Sequence, residues 1–176
     1  MLELSSSTVG VIGIFGRLSL ELEARFDAIE LKYSKKPSTD EYDIFRHLTL
    51  TFEPNAPVTS VNKQLKLLRD LKQFLPLKLK IEKFFVKDEE SMPGAQHIAA
   101  EFSLEQTKDL VEFTKRYAGE NTVATWYIKL VWLVPKENQQ DVMDELKDLK
   151  TLEFTDFYLV ANKQDEDNTL FTTNSF

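Results

Sequence analysis

Apolar residues along the chain recur with two different periods, which predict short strands separated by amphipathic helices. Residues 9–15 are mostly β-branched or apolar and predict a buried strand that ends at Gly16. Ser19 is placed to cap a helix whose apolar positions recur every three or four residues and which Pro37 ends. Residues 45–52 alternate apolar and polar side chains, so we expect a strand with one buried face and one open face.

The rest of the chain continues this pattern of strands and helices. A second helix is predicted to begin at Thr59 or Ser60 and to end before Pro76. An acidic turn that contains Gly94 is expected to join the next two strands as a hairpin. The remaining predicted elements are strands over residues 77–87 and 96–102, a helix over 104–117 that Ser103 caps, a strand over 122–134, a helix over 139–149 and a strand over 154–160. No Gly-rich phosphate loop follows a strand, which argues against Rossmann and P-loop folds.

The order of the predicted elements repeats within the chain. A strand, a helix and a strand with a polar face occur over residues 9–52 and again over residues 96–133. Because most strands alternate, we expect antiparallel or mixed sheets with helices on one side. The sequence therefore predicts an α+β, bilobal fold: two small antiparallel sheets with outer helices that enclose a central cleft. Residues 1–161 are expected to form this single domain, and residues 162–176 a polar C-terminal tail.

Composition narrows the chemistry that such a cleft can carry. The 176 residues include no cysteine, so disulfides, a thiolate nucleophile and Cys-ligated zinc are excluded. With two histidines and no carboxylate cluster at ligand spacing, we expect no bound metal. The net charge of −7 argues against a protein that coats nucleic acid, but not against a small basic cleft. No export signal or membrane-spanning stretch is recognisable, so a cytoplasmic protein without membrane association is expected.

The most informative polar positions are His47 and Thr49, on the open face of the predicted strand over residues 45–52. Residues two apart on a strand project from the same face, about 6.5 to 7 Å from each other. An imidazole can move a proton near neutral pH, and a hydroxyl beside it can hydrogen-bond an oxyanion. The pair therefore indicates acid–base chemistry on an anionic group.

The sequence His-Leu-Thr-Leu-Thr-Phe at residues 47–52 resembles the His-x-Thr-x motif of the 2H phosphoesterase superfamily, which includes 2′-5′ RNA ligase-like proteins and cyclic nucleotide phosphodiesterases. The order of elements extends the resemblance over residues 9–160. It implies two motifs that face each other across a cleft, with one histidine as general base and the other as general acid. By the same resemblance, two threonines hold the phosphate and no metal or other cofactor is required.

Two alternatives are open for the second motif. The motif strand follows the first helix by about a dozen residues, and the same offset after the helix over 104–117 places Tyr127 and Lys129 at the histidine and threonine positions. Tyrosine can donate a proton and lysine can neutralise a phosphate oxygen. The other alternative is His97, but its strand precedes that helix and the residue two positions later is Ala99.

The resemblance implies a protein that acts on a 2′,3′-cyclic or 2′-5′ phosphodiester of a nucleotide or RNA by metal-free acid–base chemistry. His47, Thr49, Tyr127 and Lys129 are the expected site residues, and the expected partner is a nucleotide or RNA phosphodiester in the cleft. Substitution of the second motif leaves altered or lost activity open. The alternatives are a non-catalytic domain of the same fold that binds a nucleotide or another phosphate ligand, and a protein-interaction domain. The sequence does not indicate an oligomeric state.

Overall fold

The structure is a computed structural model that describes residues 11–35, 46–54, 56–89, 93–118, 127–162 and 171–173. Its strands form one antiparallel sheet in the order β2-β1-β6-β3-β4-β5, and β7 pairs with β6 beside this path. The strands are β1 (Val11–Leu18), β2 (His47–Pro54), β3 (Leu77–Asp88), β4 (Gln96–Phe102), β5 (Tyr127–Val131), β6 (Thr151–Asn162) and β7 (Phe171–Thr173). β2 and β5 are therefore the two ends of the sheet.

Four helices accompany the sheet within the described residues: α1 (Leu20–Tyr33), α2 (Val58–Leu71), α3 (Leu104–Ala118) and α4 (Gln139–Leu146). Ser19 caps α1 as the sequence predicts, because its hydroxyl accepts a hydrogen bond from the Leu22 N–H at 3.4 Å. α2 and α3 contact the half of the sheet around β1 and β2, whereas α1 contacts β5 and α4 contacts β4. No helix in the described part of the chain is long and apolar enough to cross a membrane.

The α+β class and the antiparallel pairing are confirmed, but two separate sheets are not. Because β3 is 12 residues long, about 40 Å at the usual rise per residue, it has room for a different partner at each end. Its first part, Leu77–Lys80, pairs with β6, and its second part from Ile81 onward pairs with β4. The two sheets that the sequence predicts are thus two halves of one sheet that share β3.

Several element boundaries differ from the sequence prediction. β1 continues through Gly16, which lies opposite Leu48 and Phe157, instead of ending there. A Cβ at position 16 would lie 3.3 Å from a Phe154 ring carbon, so this glycine permits close packing within the strand and does not mark a turn. α2 begins at Val58, slightly before the predicted start. Part of the predicted C-terminal tail forms β7, which pairs with β6.

Some predicted features lie outside the described residues. They include Pro37 with the connection to residue 45, and residues 122–126 of the strand predicted over 122–134.

Alternation along both end strands separates the core from the open face. In β2, Leu48 and Leu50 are buried, whereas His47 and Thr49 are only half-buried. In β5, the buried side chains are Ile128 and Leu130, and the half-buried ones are Tyr127 and Lys129. The apolar side chains of both strands join the same core, which also holds Phe26, Leu67, Leu71, Ile98, Val142 and Phe154. The polar residues of both strands therefore project away from that core.

Candidate functional site

His47 and Thr49 project from β2 beside two residues of β1. The register places Arg17 directly opposite His47 and Phe15 directly opposite Thr49, so all four side chains share one face. The rings of Phe15 and His47 meet edge to face, with centroids 4.8 Å apart and planes at 77°. This contact holds the imidazole next to an apolar ring, while Arg17 supplies a cation on the neighbouring strand.

Tyr158 of β6 completes this part of the face. It lies opposite Phe15 on the other side of β1, and the two ring centroids are 5.8 Å apart. Burial raises the pKa of the Tyr158 hydroxyl to about 12, which is above its usual range near 10. At neutral pH Tyr158 therefore keeps its proton and remains available as a hydrogen-bond donor.

Tyr127 and Lys129 occupy the equivalent face of β5, at the other end of the sheet. Tyr127 is opposite Glu101 and Lys129 is opposite Ala99 on β4. The Tyr127 ring contacts Phe85 with centroids 5.9 Å apart, and the Lys87 ammonium lies 5.5 Å from the centre of the same tyrosine ring. This half of the sheet thus combines two aromatic rings with two lysines.

Lys129 is engaged by its neighbours. Its ammonium forms an ion pair with Glu89, which follows β3, and lies 5.0 Å from the centre of the Trp132 ring. The side chains of Lys129 and Glu89 are 22% and 16% exposed, so the pair is partly shielded from water. A phosphate that binds Lys129 would therefore have to compete with a carboxylate.

His97, the alternative second histidine, is bound into the structure on β4. Its side chain is only 1% exposed, its Nδ1 accepts a hydrogen bond from the Leu133 N–H at 3.0 Å, and its Nε2 lies 3.1 Å from Glu89 Oε2. An accepting Nδ1 places the proton on Nε2, which then donates to the carboxylate. Burial, followed by the charge of Lys129, lowers the pKa of His97, so the neutral imidazole is favoured.

The two end strands of the sheet contact each other, and Arg46 links them. Arg46 immediately precedes His47, and its Nε donates to the Leu130 carbonyl, next to Lys129, at 2.5 Å. Its terminal nitrogens pair with three carboxylates of α1, at 2.7 to 2.8 Å: Glu23, Asp27 and Glu30. The Arg46 side chain is 6% exposed and Glu23 is 18% exposed, whereas Asp27 is 65% exposed. A buried guanidinium thus ties the beginning of β2 to β5 and to α1.

Glu30 extends this network to the residues after β5. One of its carboxylate oxygens accepts a hydrogen bond from the Trp132 N–H at 2.8 Å. Burial raises the pKa of the Glu30 carboxyl, and the Arg46 charge opposes that rise. Both the histidine strand and the lysine strand are thus anchored to α1.

The structure brings the sequence-predicted residues together in two pairs. His47 and Thr49 share β2, and Tyr127 and Lys129 share β5, whereas His97 on β4 has Glu89 and Trp132 as neighbours in common with Lys129. The sequence interpretation does not identify five further residues on these faces: Phe15, Arg17, Tyr158, Glu89 and Trp132. No polar alternation along β1 signals Arg17, and only the strand register makes Arg17 and Tyr158 neighbours of the motif strand.

The chemistry available on these faces is proton transfer and anion binding. The imidazole of His47 is a type of side chain that exchanges protons near neutral pH, and Thr49 carries a hydroxyl. Arg17 and Lys129 add positive charge. Within the described residues, no group of three or more histidine, aspartate or glutamate side chains could hold a metal ion.

Comparison with known proteins gives matches among solved structures. No family model matches the chain, and no curated protein matches it. Two structures of Kluyveromyces marxianus Usb1, one of them with uridine monophosphate, match at 12% identity with TM-scores of 0.55 and 0.56, over 93–94% of this chain and 97–98% of theirs. Escherichia coli LigT in its apo form matches at 11% identity with a TM-score of 0.50, over 96% of each chain. The chain therefore has the fold of the 2H phosphoesterase superfamily, to which Usb1 and LigT belong.

Proposed function

We propose that the protein binds a phosphodiester of a nucleotide or RNA in a cleft between the polar faces of β2 and β5, and that His47 performs acid–base chemistry on it. The observation that carries this proposal is the placement of His47 and Thr49 on the open face of a strand whose beginning is tied to β5 by Arg46. The similarity of the fold to Usb1, solved with uridine monophosphate, supports a nucleotide as the ligand.

In the proposed reaction, a water molecule attacks the phosphorus of a 2′,3′-cyclic phosphate. His47 accepts a proton from this water, and the bond from phosphorus to one ribose oxygen breaks. Tyr127 donates a proton to that leaving oxygen, so that the product is a phosphomonoester with a free hydroxyl. The Thr49 hydroxyl and the Lys129 ammonium hold the non-bridging oxygens, where negative charge accumulates. A 2′-5′ phosphodiester would be cleaved with the same roles.

The charged and aromatic neighbours of these residues suit this class of ligand. Arg17 lies beside His47 and adds a guanidinium, whose planar donors match phosphate oxygens. Phe15 contacts His47 and Phe85 contacts Tyr127, and both rings are half-buried. Nucleic-acid bases stack on such rings without regard to base sequence. These features favour a small nucleotide or the end of an RNA chain over a long duplex.

A second candidate function is binding without turnover. One observation favours it: Lys129 already has a carboxylate partner in Glu89. The sequence resemblance supports it as well, because its register implies that Tyr127 replaces the second histidine, which would supply the opposite proton. Because the reference pKa of tyrosine is about 10, a tyrosine is a weaker proton donor than the imidazolium of a second histidine would be. In this binding function, Thr49, Arg17 and Lys129 hold the phosphate, and His47 acts as a hydrogen-bond donor.

The test is hydrolysis of 2′,3′-cyclic uridine monophosphate and of a 2′-5′-linked diuridylate by the wild-type protein and by His47→Ala, Tyr127→Phe and Lys129→Ala. We expect His47→Ala to lower kcat/KM by about 10² to 10⁴. Lys78→Ala is the matched control for Lys129→Ala, since it also removes a lysine that pairs with a glutamate across the sheet, at 3.2 Å from Glu153. It should leave kcat/KM unchanged.

The outcomes separate the two candidates. Equal turnover by the wild-type protein and His47→Ala would reject the catalytic proposal. Absence of turnover, together with binding of the cyclic nucleotide that weakens in Lys129→Ala but not in Lys78→Ala, would select the binding function. If the wild-type protein neither binds nor hydrolyses either compound, both candidates are wrong.

A further inference from the structure

A single carboxylate oxygen on the lysine side of the site has two hydrogen-bond donors. Glu89 Oε2 receives the ammonium of Lys129 and lies 3.1 Å from His97 Nε2. Glu89 follows β3 directly, and its N–H donates to the Ala95 carbonyl at 3.0 Å, which closes the turn between β3 and β4. Hydrogen bonds thus hold Glu89 through both its backbone and its side chain.

His97 is the second donor to this carboxylate oxygen. The hydrogen bond from the Leu133 N–H to His97 Nδ1 leaves Nε2–H as the only ring donor, and Glu89 is its acceptor. Because His97 is buried and its ring contacts the Trp132 ring with centroids 4.6 Å apart, it has little freedom to turn away. Glu89 is therefore a preorganised negative charge on the lysine side of the site.

Lys129 is the adjustable member of this group. It is partly exposed, and its ammonium is a compact charge on a flexible four-carbon stem, which can change partners without a change in the backbone. The face of Trp132, 5.0 Å away, stabilises a cation near this position independently of Glu89. Lys129 is thus paired with Glu89 in this structure, and the Trp132 ring provides a surface along which its ammonium can move.

We propose that Glu89 is a built-in competitor for the ligand phosphate: it holds Lys129 when the site is empty, and Lys129 transfers from this carboxylate to the phosphate when ligand binds. This inference rests on the proposed function, since it assigns Lys129 to a phosphate. Glu89 acts through Lys129 and is a positioning residue that sets the affinity of the site for anions. His97 serves this role by keeping the carboxylate in place.

The experiment is titration calorimetry of uridine 3′-monophosphate with the wild-type protein, Glu89→Gln, Lys129→Ala and the double variant. Glu89→Gln should tighten binding by roughly threefold to tenfold, because it removes a competitor that is a partly shielded charge. In the Lys129→Ala background the same substitution should change the affinity by less than about twofold, since the effect passes through the lysine.

Glu145→Gln provides a matched control. Glu145 Oε1 also accepts two donors, the ammonium of Lys32 and the Tyr33 hydroxyl at 2.7 Å, but it lies on α4. The control changes the net charge by the same amount and should leave the affinity unchanged. If both glutamine variants tighten binding equally, or if Glu89→Gln binds as the wild-type protein does, the competitor role is wrong.

A measurement on the wild-type protein covers the case in which Glu89→Gln folds poorly. The side-chain ¹⁵Nζ resonance of Lys129, identified by its loss in Lys129→Ala, should shift when uridine 3′-monophosphate saturates the site. An unchanged resonance at saturation would overturn the transfer of Lys129 while leaving binding, and with it the proposed function, intact. Absence of any binding by the wild-type protein would overturn the inference and the proposed function together.

Discussion

The two ends of the sheet carry polar side chains at the same strand positions, but these side chains have different surroundings. On β2, His47 and Thr49 have a ring and a guanidinium from β1 as neighbours, Phe15 and Arg17. On β5, Lys129 is paired with a carboxylate that a second, buried histidine holds in place. The β2 side therefore combines a titratable ring with a hydroxyl, whereas the β5 side combines a lysine with its own counter-ion.

In the proposed function, the two strand faces divide one chemical task. An imidazole is well suited to proton exchange near neutral pH, and on the two end strands only β2 presents one on its open face. A cation strengthens anion binding, and β5 presents Lys129, whose charge Glu89 offsets in this structure. The chain's other histidine, His97 on β4, donates a hydrogen bond to Glu89, the partner of Lys129.

The first prediction concerns Arg46, which connects the β2 side to the β5 side. Arg46→Met removes the guanidinium that ties the beginning of β2 to Leu130 and leaves Glu23, Asp27 and Glu30 close together without their cation. We expect the free energy of unfolding to fall by about 3 to 5 kcal/mol, because the buried guanidinium is lost and the partly buried Glu23 and Glu30 keep their charges without it. Urea unfolding followed by circular dichroism measures this change.

Arg25→Met is the control for Arg46→Met. Arg25 also joins a helix to a distant carboxylate, at 2.6 Å from Asp148, but that carboxylate is 69% exposed. Its loss should cost less than about 1 kcal/mol, because exposed ion pairs contribute little. Equal destabilisation by the two substitutions would mean that burial of the Arg46 network has no special role.

The second prediction tests whether the two sides can be made alike. Tyr127→His combined with Lys129→Thr places a histidine and a threonine on the open face of β5, in the same pattern as His47 and Thr49. If the missing acid–base group limits the reaction, hydrolysis of 2′,3′-cyclic uridine monophosphate should rise by about 10²-fold. Adding His47→Ala should abolish that gain. A double variant with unchanged or lower activity would show that the lysine side is adapted to the residues it has.

Local patterns in the sequence were sufficient for much of the fold and for the two strands that carry the proposed site residues. The alternation in residues 45–52 predicts β2 with its polar face, and the offset after α3 predicts a strand that carries Tyr127 and Lys129, which the structure places on β5. Both patterns depend on residues near each other in the chain. The class of the fold followed from the same patterns, because alternation distinguishes half-open antiparallel strands from buried parallel ones.

Interactions between distant segments were not predictable in this way. Glu89 meets Lys129 across 40 residues and Arg46 meets Leu130 across 84 residues, so no local period signals either contact. The continuity of the sheet was missed for the same reason, because alternation in β3 does not state which strands pair with its two ends. Arg17 escaped attention because the predicted strand ended before it, at Gly16.

The third prediction sharpens the role of the hydroxyl on the β2 side. Thr49→Val keeps the branched shape that suits a strand but removes the hydrogen-bonding group. We expect kcat/KM for the cyclic nucleotide to fall by about tenfold, which corresponds to one lost hydrogen bond to a charged group. Thr155→Val, at an exposed position of β6, is the control and should have no effect. A Thr49→Val enzyme as active as the wild-type protein would exclude a phosphate contact from this hydroxyl.

The smallest expected effect concerns the histidine that supports the lysine side. The pKa of His97 in the folded protein lies below its value of about 6.5 in an unfolded chain, because burial and the charge of Lys129 disfavour the imidazolium. The unfolded state therefore binds the proton more readily. The stability that neutral His97 contributes is fully present above pH 6.5 and is lost as the pH falls below this value toward the folded pKa.

Urea unfolding at pH 5.5, 6.5 and 7.5 checks this direction in the wild-type protein and in His97→Gln, whose amide can still bond Glu89 and the Leu133 N–H. Other titrating groups, including Glu30 with its raised pKa, are present in both proteins, so the difference between them isolates His97. The wild-type protein should lose more stability than His97→Gln between pH 7.5 and pH 5.5. Equal losses of stability in the two proteins would mean that His97 binds protons equally in the folded and unfolded states. A smaller loss in the wild-type protein would mean that Glu89 stabilises the imidazolium of His97 more than burial opposes it.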